Sequence, residues 1–160
     1  MSAEARPATI RRGGLPDVPF QRDLLRHAYH WRVNAFETEI PVARYVDRWG
    51  RPGDAAVIAL EQGRPVGAAW YRLYPASAPG YGFVDPQTPE LTIAVVPSKR
   101  GRGVGRELLQ ALLERARSEG NERISLNVQG DSDQEAFYAR NGFERLREEA
   151  GGAVTMVARL

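Results

Sequence analysis

One stretch restricts the fold more than any other. "PELTIAVV", residues 89–96, is an apolar, strand-forming run that ends at Pro97, and "KRGRGVGRELLQALLERARSEG", residues 99–120, follows at once. The second stretch changes from a basic, glycine-spaced junction into a leucine-rich helix. Val104, Leu108 and Leu112, interleaved with Leu109, Leu113 and Ala116, give that helix one apolar face, and Gly120 marks its end. "RISLNV", residues 123–128, reads as the next strand, so the middle of the chain is a strand, helix, strand crossover.

The flanking segments supply hairpins. "AAVIALEQGRPVGAAWYRLY" holds two strand-forming runs, Ala55 to Leu60 and Val66 to Tyr74, joined by a tight turn at Gln62 and Gly63. "FERLREE", a turn at Gly151 and Gly152, and "AVTMVARL" form a second antiparallel pair at the C-terminal end. "PATIRRGG" is a first strand ending at Gly13 and Gly14. A helix starts near Asp17 and carries Phe20, Leu24, Ala28 and Trp31 at helical spacing, and a short second helix is expected from Pro41 to Gly50. "DSDQEAFYARNGF" has a helix start at Asp131 to Asp133 and a stop at Gly142. Residues 75–88, "PASAPGYGFVDPQT", form a proline- and glycine-rich loop of a length that more often serves function than idles.

At 160 residues the chain suits one domain over 1–160, with 1–7 as a flexible leader. No cysteine is present, which excludes disulfides, thiolate metal sites and a cysteine nucleophile. No carboxylate pattern around His27 and His30 completes a metal site, so none is expected. A net charge of +2 is too small an excess for a nucleic-acid binder. No apolar run reaches the roughly 20 residues of a membrane span. Glu4 and Arg6 precede any apolar stretch, which speaks against a signal peptide, and the cytoplasm is the expected location.

The junction itself is suited to phosphate. A strand entering a glycine-rich turn and then a helix aims several free backbone N–H groups at one place, backed by the positive end of the helix dipole. Glycine at 101, 103 and 105 allows positive φ and close approach, while Lys99, Arg100 and Arg102 add charge at the rim. A Walker loop fails because Arg106 and Glu107 follow Gly105, and the dinucleotide fingerprint fails at Leu108. On spacing alone, a turn with a solvated basic rim stays open.

Arg100, Gly103 and Gly105 also form the pattern R-x-x-G-x-G between a strand and an amphipathic helix, and "AFYARNGF" places a tyrosine on a short helix before a glycine-phenylalanine pair. Together, in this order, the two resemble the signatures of the GCN5-related N-acetyltransferases (GNAT) over Ala55 to Leu160. The resemblance implies an α/β fold with a central, mostly antiparallel twisted sheet flanked by about four helices. It implies acetyl-CoA as cosubstrate, its pyrophosphate on Arg100, Gly101, Arg102, Gly103, Val104, Gly105 and Arg106, and its pantetheine arm along the main chain of Ile93, Ala94 and Val95. Tyr138 takes the place of the family's acid, a phenol that stays protonated at neutral pH and can donate to the departing thiolate. Glu90 stands where some members carry a base, and an ionisable group at the edge of a buried strand favours a cleft position. Asp131 occupies a pantetheine-contacting place where the family often has asparagine, and as a carboxylate it accepts without donating.

The implied function is acetyl transfer to the primary amine of a small molecule or peptide by direct attack. A non-catalytic acetyl-CoA sensor or scaffold is the alternative. Nucleic-acid binding through "KRGRGVGR" lacks aromatics for stacking. Trp31, Tyr45, Trp49, Trp70, Tyr71, Tyr74, Tyr81 and Phe83 are candidates to line an acceptor pocket, and Glu37, Glu39 or Asp85 to attract a cationic amine. A homodimer is left open.

Overall fold

A computed structural model describes residues 8–32 and 40–160. Seven strands form one sheet: β1 (Thr9–Arg12), β2 (Ala55–Glu61), β3 (Arg64–Arg72), β4 (Glu90–Val95), β5 (Arg123–Gln129), β6 (Glu144–Glu148) and β7 (Ala153–Arg159). Their spatial order is β1-β2-β3-β4-β5-β7-β6. Every neighbouring pair is antiparallel except β4 with β5. The helices are α1 (Val18–Tyr29), α2 (Val104–Ser118) and α3 (Asp133–Arg140). The elements thus follow the sequence pattern, and the crossover strands are the parallel pair.

Period-two alternation along β2 divides the core. Ala55, Val57 and Ala59 face the cluster under α2, where Leu108, Leu109, Leu112 and Ala116 are buried, while Ala56 and Ile58 face Leu24, Leu25 and Tyr29 of α1. Fully burying each of these leucines is worth about 1.5–3 kcal/mol. Gln62 and Gly63 turn the β2–β3 hairpin with φ of 52° and 76°, the pair of positive values a two-residue turn needs to match strand twist.

The helix expected from Pro41 to Gly50 is not formed. In its place a single 3-10 turn spans Val42–Tyr45, so three α-helices rather than about four flank the sheet among the described residues. This segment is tied to β3. Arg72, fully buried, donates to the carbonyls of Arg44 (3.0 Å) and Asp47 (2.8 Å), and pairs with Asp54 at 2.9 Å. These bonds hold the backbone of Arg44 and Asp47 against the sheet. The guanidinium gains the several acceptors that a buried charge requires.

Candidate active site

The parallel pair opens the site. β4 and β5 meet only where Glu90 registers with Ser125, and the Ser125 N–H bonds to the Pro89 carbonyl at 2.9 Å. Beyond that point they diverge, and a cleft of about 570 Å³ lies between them. Its walls include Thr92, Ile93, Ala94 and Val95 from β4, Asn127 and Val128 from β5, Tyr29 from α1, and Phe137 and Tyr138 from α3.

On its other side β4 is fully paired with β3, from Gly67 opposite Val95 to Arg72 opposite Glu90. Main-chain bonding alternates along an antiparallel strand, and the Val96 N–H is used by the Val66 carbonyl at 2.8 Å. The main chain of Ile93 and Val95 therefore points toward the cleft. A ligand laid along this edge would be held as an added strand is held, by backbone bonds with apolar walls beside it.

At the mouth of the cleft stand Arg100 and Gly101. Gly101 and Gly103 adopt φ of 78° and 83°, the left-handed region, and Gly103 is the N-cap of α2. Buried Val104 anchors the first turn. Gly105 differs from its two neighbours in having ordinary helical geometry, and a Cβ built on it, as on them, meets nothing within 4 Å. Nothing within the chain calls for glycine there, whereas a ligand resting on the helix N-terminus would. Lys99 bonds Glu61 at 2.7 Å with Arg102 3.8 Å from the same carboxylate, and the Arg100 side chain donates to the Val95 carbonyl at 3.3 Å. Arg106 is exposed at the start of the helix.

Tyr138 is carried into the cleft by α3, whose N-cap Ser132 accepts the Glu135 N–H at 3.1 Å. Its ring packs edge-on against Phe137 and Phe143, at centroid distances of 5.1 and 5.5 Å. Burial pushes the phenol well above its ordinary value, so it keeps its proton at any physiological pH.

Glu90 sits differently from the sequence expectation. It is 1% exposed, is not among the cleft-lining residues, and accepts the hydroxyl proton of Tyr45 through Oε2. The Tyr45 phenol is one partner that offsets the cost of its burial. Asp131 is also placed away from the cleft: its carboxylate pairs with Arg145 at 2.9 Å, while Asp133 and Gln134 reach the cleft wall from the same helix start.

Of the aromatic candidates only Trp31 lines the cleft. Tyr45, Trp70, Tyr74 and Tyr81 belong to the core beneath α1, and Tyr71 bonds Glu119 at 2.6 Å on the opposite face. Asp85 is paired with Arg123 at 2.5 Å, and Glu37 and Glu39 lie outside the described residues. The sequence reading missed Tyr29, Asn127 and Phe137 as cleft residues. Tyr29 had a signal, since it continues the buried ridge from Leu25 at i+4 on α1. No group of His, Asp or Glu side chains that could hold a metal ion occurs among the described residues.

Comparison with known proteins gives the same assignment. The sequence profile described as the Acetyltransferase (GNAT) family matches residues 22–143. The chain belongs to the GNAT acetyltransferase family. This GNAT chain is 31% identical over 143 residues to an L-methionine sulfoximine/L-methionine sulfone acetyltransferase of Pseudomonas paraeruginosa, a match covering 86% of the chain and 80% of the relative. In fold it is similar to the Sinorhizobium meliloti phosphinothricin acetyltransferase solved with acetyl-CoA (TM-score 0.72, 22% identity, 97% of this chain and 89% of that one). It is likewise similar to yncA of Salmonella typhimurium with its cofactor acetyl-CoA (TM-score 0.73, 19% identity, 97% and 95% covered). The protein is thus an acetyl-CoA-dependent N-acetyltransferase, and the expected fold class is the one observed.

Proposed function

We propose that this GNAT domain acetylates the primary amine of a small, amino-acid-like acceptor by direct attack, with Tyr138 as the acid and Glu90 as the base. The observation that carries this reading is that one cleft brings together the inward-facing main chain of β4, the glycine loop before α2 and the Tyr138 phenol. The first two suit acetyl-CoA: the β4 edge for its pantetheine arm, and the loop of Arg100, Gly101, Arg102, Gly103, Val104, Gly105 and Arg106 for its pyrophosphate. Bound there, acetyl-CoA supplies a thioester carbonyl and a thiolate leaving group.

The chain's own residues then divide the proton work. Tyr138 holds a proton that the departing sulfur needs, and burial keeps it in place until that moment. Glu90 is the terminal acceptor for the proton that an ammonium must lose before its nitrogen lone pair can attack. The acceptor class rests on the Pseudomonas relative, named for L-methionine sulfoximine and L-methionine sulfone. The reading carries with it a single catalytic domain working in the cytoplasm, with no nucleic acid or membrane as partner. Among the described residues no helix is long and apolar enough to cross a membrane.

An acceptor screen tests it. Because the chain has no cysteine, a thiol-reactive dye reports free CoA without protein background. Acceptor-dependent release with L-methionine sulfone or L-methionine sulfoximine supports the proposal. Acetyl-CoA binding with no release for any amine would favour a sensor module instead.

A further inference from the structure

Tyr138 and a pair of buried hydroxyls, those of Tyr29 and Thr92, stand on opposite sides of the sheet. Side chains alternate along β4: Leu91, Ile93 and Val95 pack with the cluster that holds Tyr138, while Ala94 packs with the cluster beneath α1. Thr92 shares the face of Ala94, and its hydroxyl meets that of Tyr29, on α1, at 2.9 Å. Both residues are buried and both line the cleft. The cleft therefore runs between a phenol on the α3 side and two hydroxyls on the α1 side.

In acetyl transfer the incoming nitrogen and the departing sulfur bond the same carbon from different directions. A group that holds the amine thus belongs across the cleft from the group that serves the sulfur. Resting on the reading of this cleft as the acetyl-CoA site with Tyr138 as the acid, we propose that the Tyr29 and Thr92 hydroxyls hold the acceptor's amino group. They accept its N–H bonds and turn the nitrogen toward the thioester.

The chemistry of the pair favours an amine. Two hydroxyls bonded to each other still offer a donor and several acceptor positions to a ligand. Burial first, and then the nearby Glu90 carboxylate, push the Tyr29 phenol well above its ordinary value, so it is present as a neutral hydroxyl. Glu90 lies two residues before Thr92 on the same face of β4, and Arg72, opposite it in register, has its charge met by Asp54 at 2.9 Å. This side of the cleft is accordingly suited to an amino group rather than to the acceptor's carboxylate. Tyr29 is also fixed in place before any acceptor arrives: its ring lies 4.8 Å from that of Tyr45 and 5.6 Å from that of Tyr81. On the β5 wall, the Asn127 amide is turned away to the Thr155 hydroxyl at 3.2 Å.

The test compares Tyr29→Phe, Thr92→Val and Thr92→Ser with the parent, following thiol release with L-methionine sulfone. The first two keep the ring and the branched side chain while removing a hydroxyl, and Thr92→Ser restores one. Loss of a hydrogen bond to an amino group is expected to lower kcat/KM for the acceptor by about 10- to 100-fold in Tyr29→Phe and in Thr92→Val. KM for acetyl-CoA should stay within about twofold of the parent, and Thr92→Ser should keep most of the parent's kcat/KM, because the cosubstrate is held elsewhere and serine presents the same oxygen. Either Tyr29→Phe or Thr92→Val at the parent's kcat/KM would overturn the pair, as would a loss accompanied by an equal rise in KM for acetyl-CoA. Calorimetric titration of L-methionine sulfone into the CoA-bound protein checks the contact without turnover: Tyr29→Phe must bind it about 10-fold or more weakly, and equal affinity would contradict the pair. A parent that releases no thiol with any amine would instead overturn the underlying reading, and this inference with it.

Discussion

Glu90 and Ser125 form the one register pair between β4 and β5, and the strands part immediately beyond it. That single bridge makes the site. It holds the strands together at one end, so that the main chain of Ile93 and Val95 is left facing a cleft rather than a neighbouring strand, with Tyr138 on the far wall.

The glycine loop separates conformational need from ligand need. Gly103→Ala places a side chain at φ of 83°, a left-handed conformation that costs about 1–2 kcal/mol, and should lower thermal stability. Gly105→Ala adds a methyl group in open space within a helix, where alanine is favoured over glycine by up to about 1 kcal/mol. It should therefore raise stability while weakening acetyl-CoA binding. Thermal unfolding and calorimetric titration of both variants check the contrast.

The long loop is fixed at its middle. A Cβ on Gly82 would come within 2.7 Å of the Leu126 carbonyl carbon, and the Gly82 carbonyl accepts the Ser125 hydroxyl at 2.8 Å. Because the clash is with β5 backbone, Gly82→Ala should destabilise by about 1–3 kcal/mol. It should also depress activity, since the strand that moves is a wall of the cleft. Denaturant unfolding and the thiol-release assay measure the two effects.

Near α3, Glu135 accepts from Arg145, from Nη2 at 2.6 Å, and from the Asp131 N–H at 2.7 Å. Arg145, which also meets Asp131 and Glu148, holds the Glu135 carboxyl below its usual range. A depressed folded-state value means the contribution is present above the unfolded value, about 4.3, and is lost as pH falls through the folded one. Glu135→Gln should lower Tm by roughly 2–4 °C at pH 7, the shift that about 1 kcal/mol produces in a chain of this size. The difference should vanish near pH 2, and paired melting curves decide it.

What could be read in the sequence was what neighbouring residues decide among themselves. The β4 strand, the glycine loop and α2 follow from side-chain period and glycine spacing, and the β2–β3 hairpin from Gln62 and Gly63. The segment after Pro41 is tied to the fold by Arg72, whose guanidinium donates to the Arg44 and Asp47 carbonyls from a distant strand, a contact that no local pattern announces. Glu90 shows the same limit. That a carboxylate on a buried strand needs a partner was clear, but only the fold places Tyr45 against it and Tyr29 between it and the cleft. The engagement of Asp131 with Arg145 was not legible in the sequence, because it depends on the pairing of β6 with β7.

The most direct test of the central claim is the rate of thiol release by Tyr138→Phe against the parent, with acetyl-CoA and L-methionine sulfone, alongside calorimetric binding of acetyl-CoA to both. The account predicts a rate lower by about 10²-fold or more with acetyl-CoA affinity unchanged, since the hydroxyl serves the leaving sulfur and the loop and β4 hold the cosubstrate. A Tyr138→Phe protein that transfers acetyl groups as fast as the parent would contradict it.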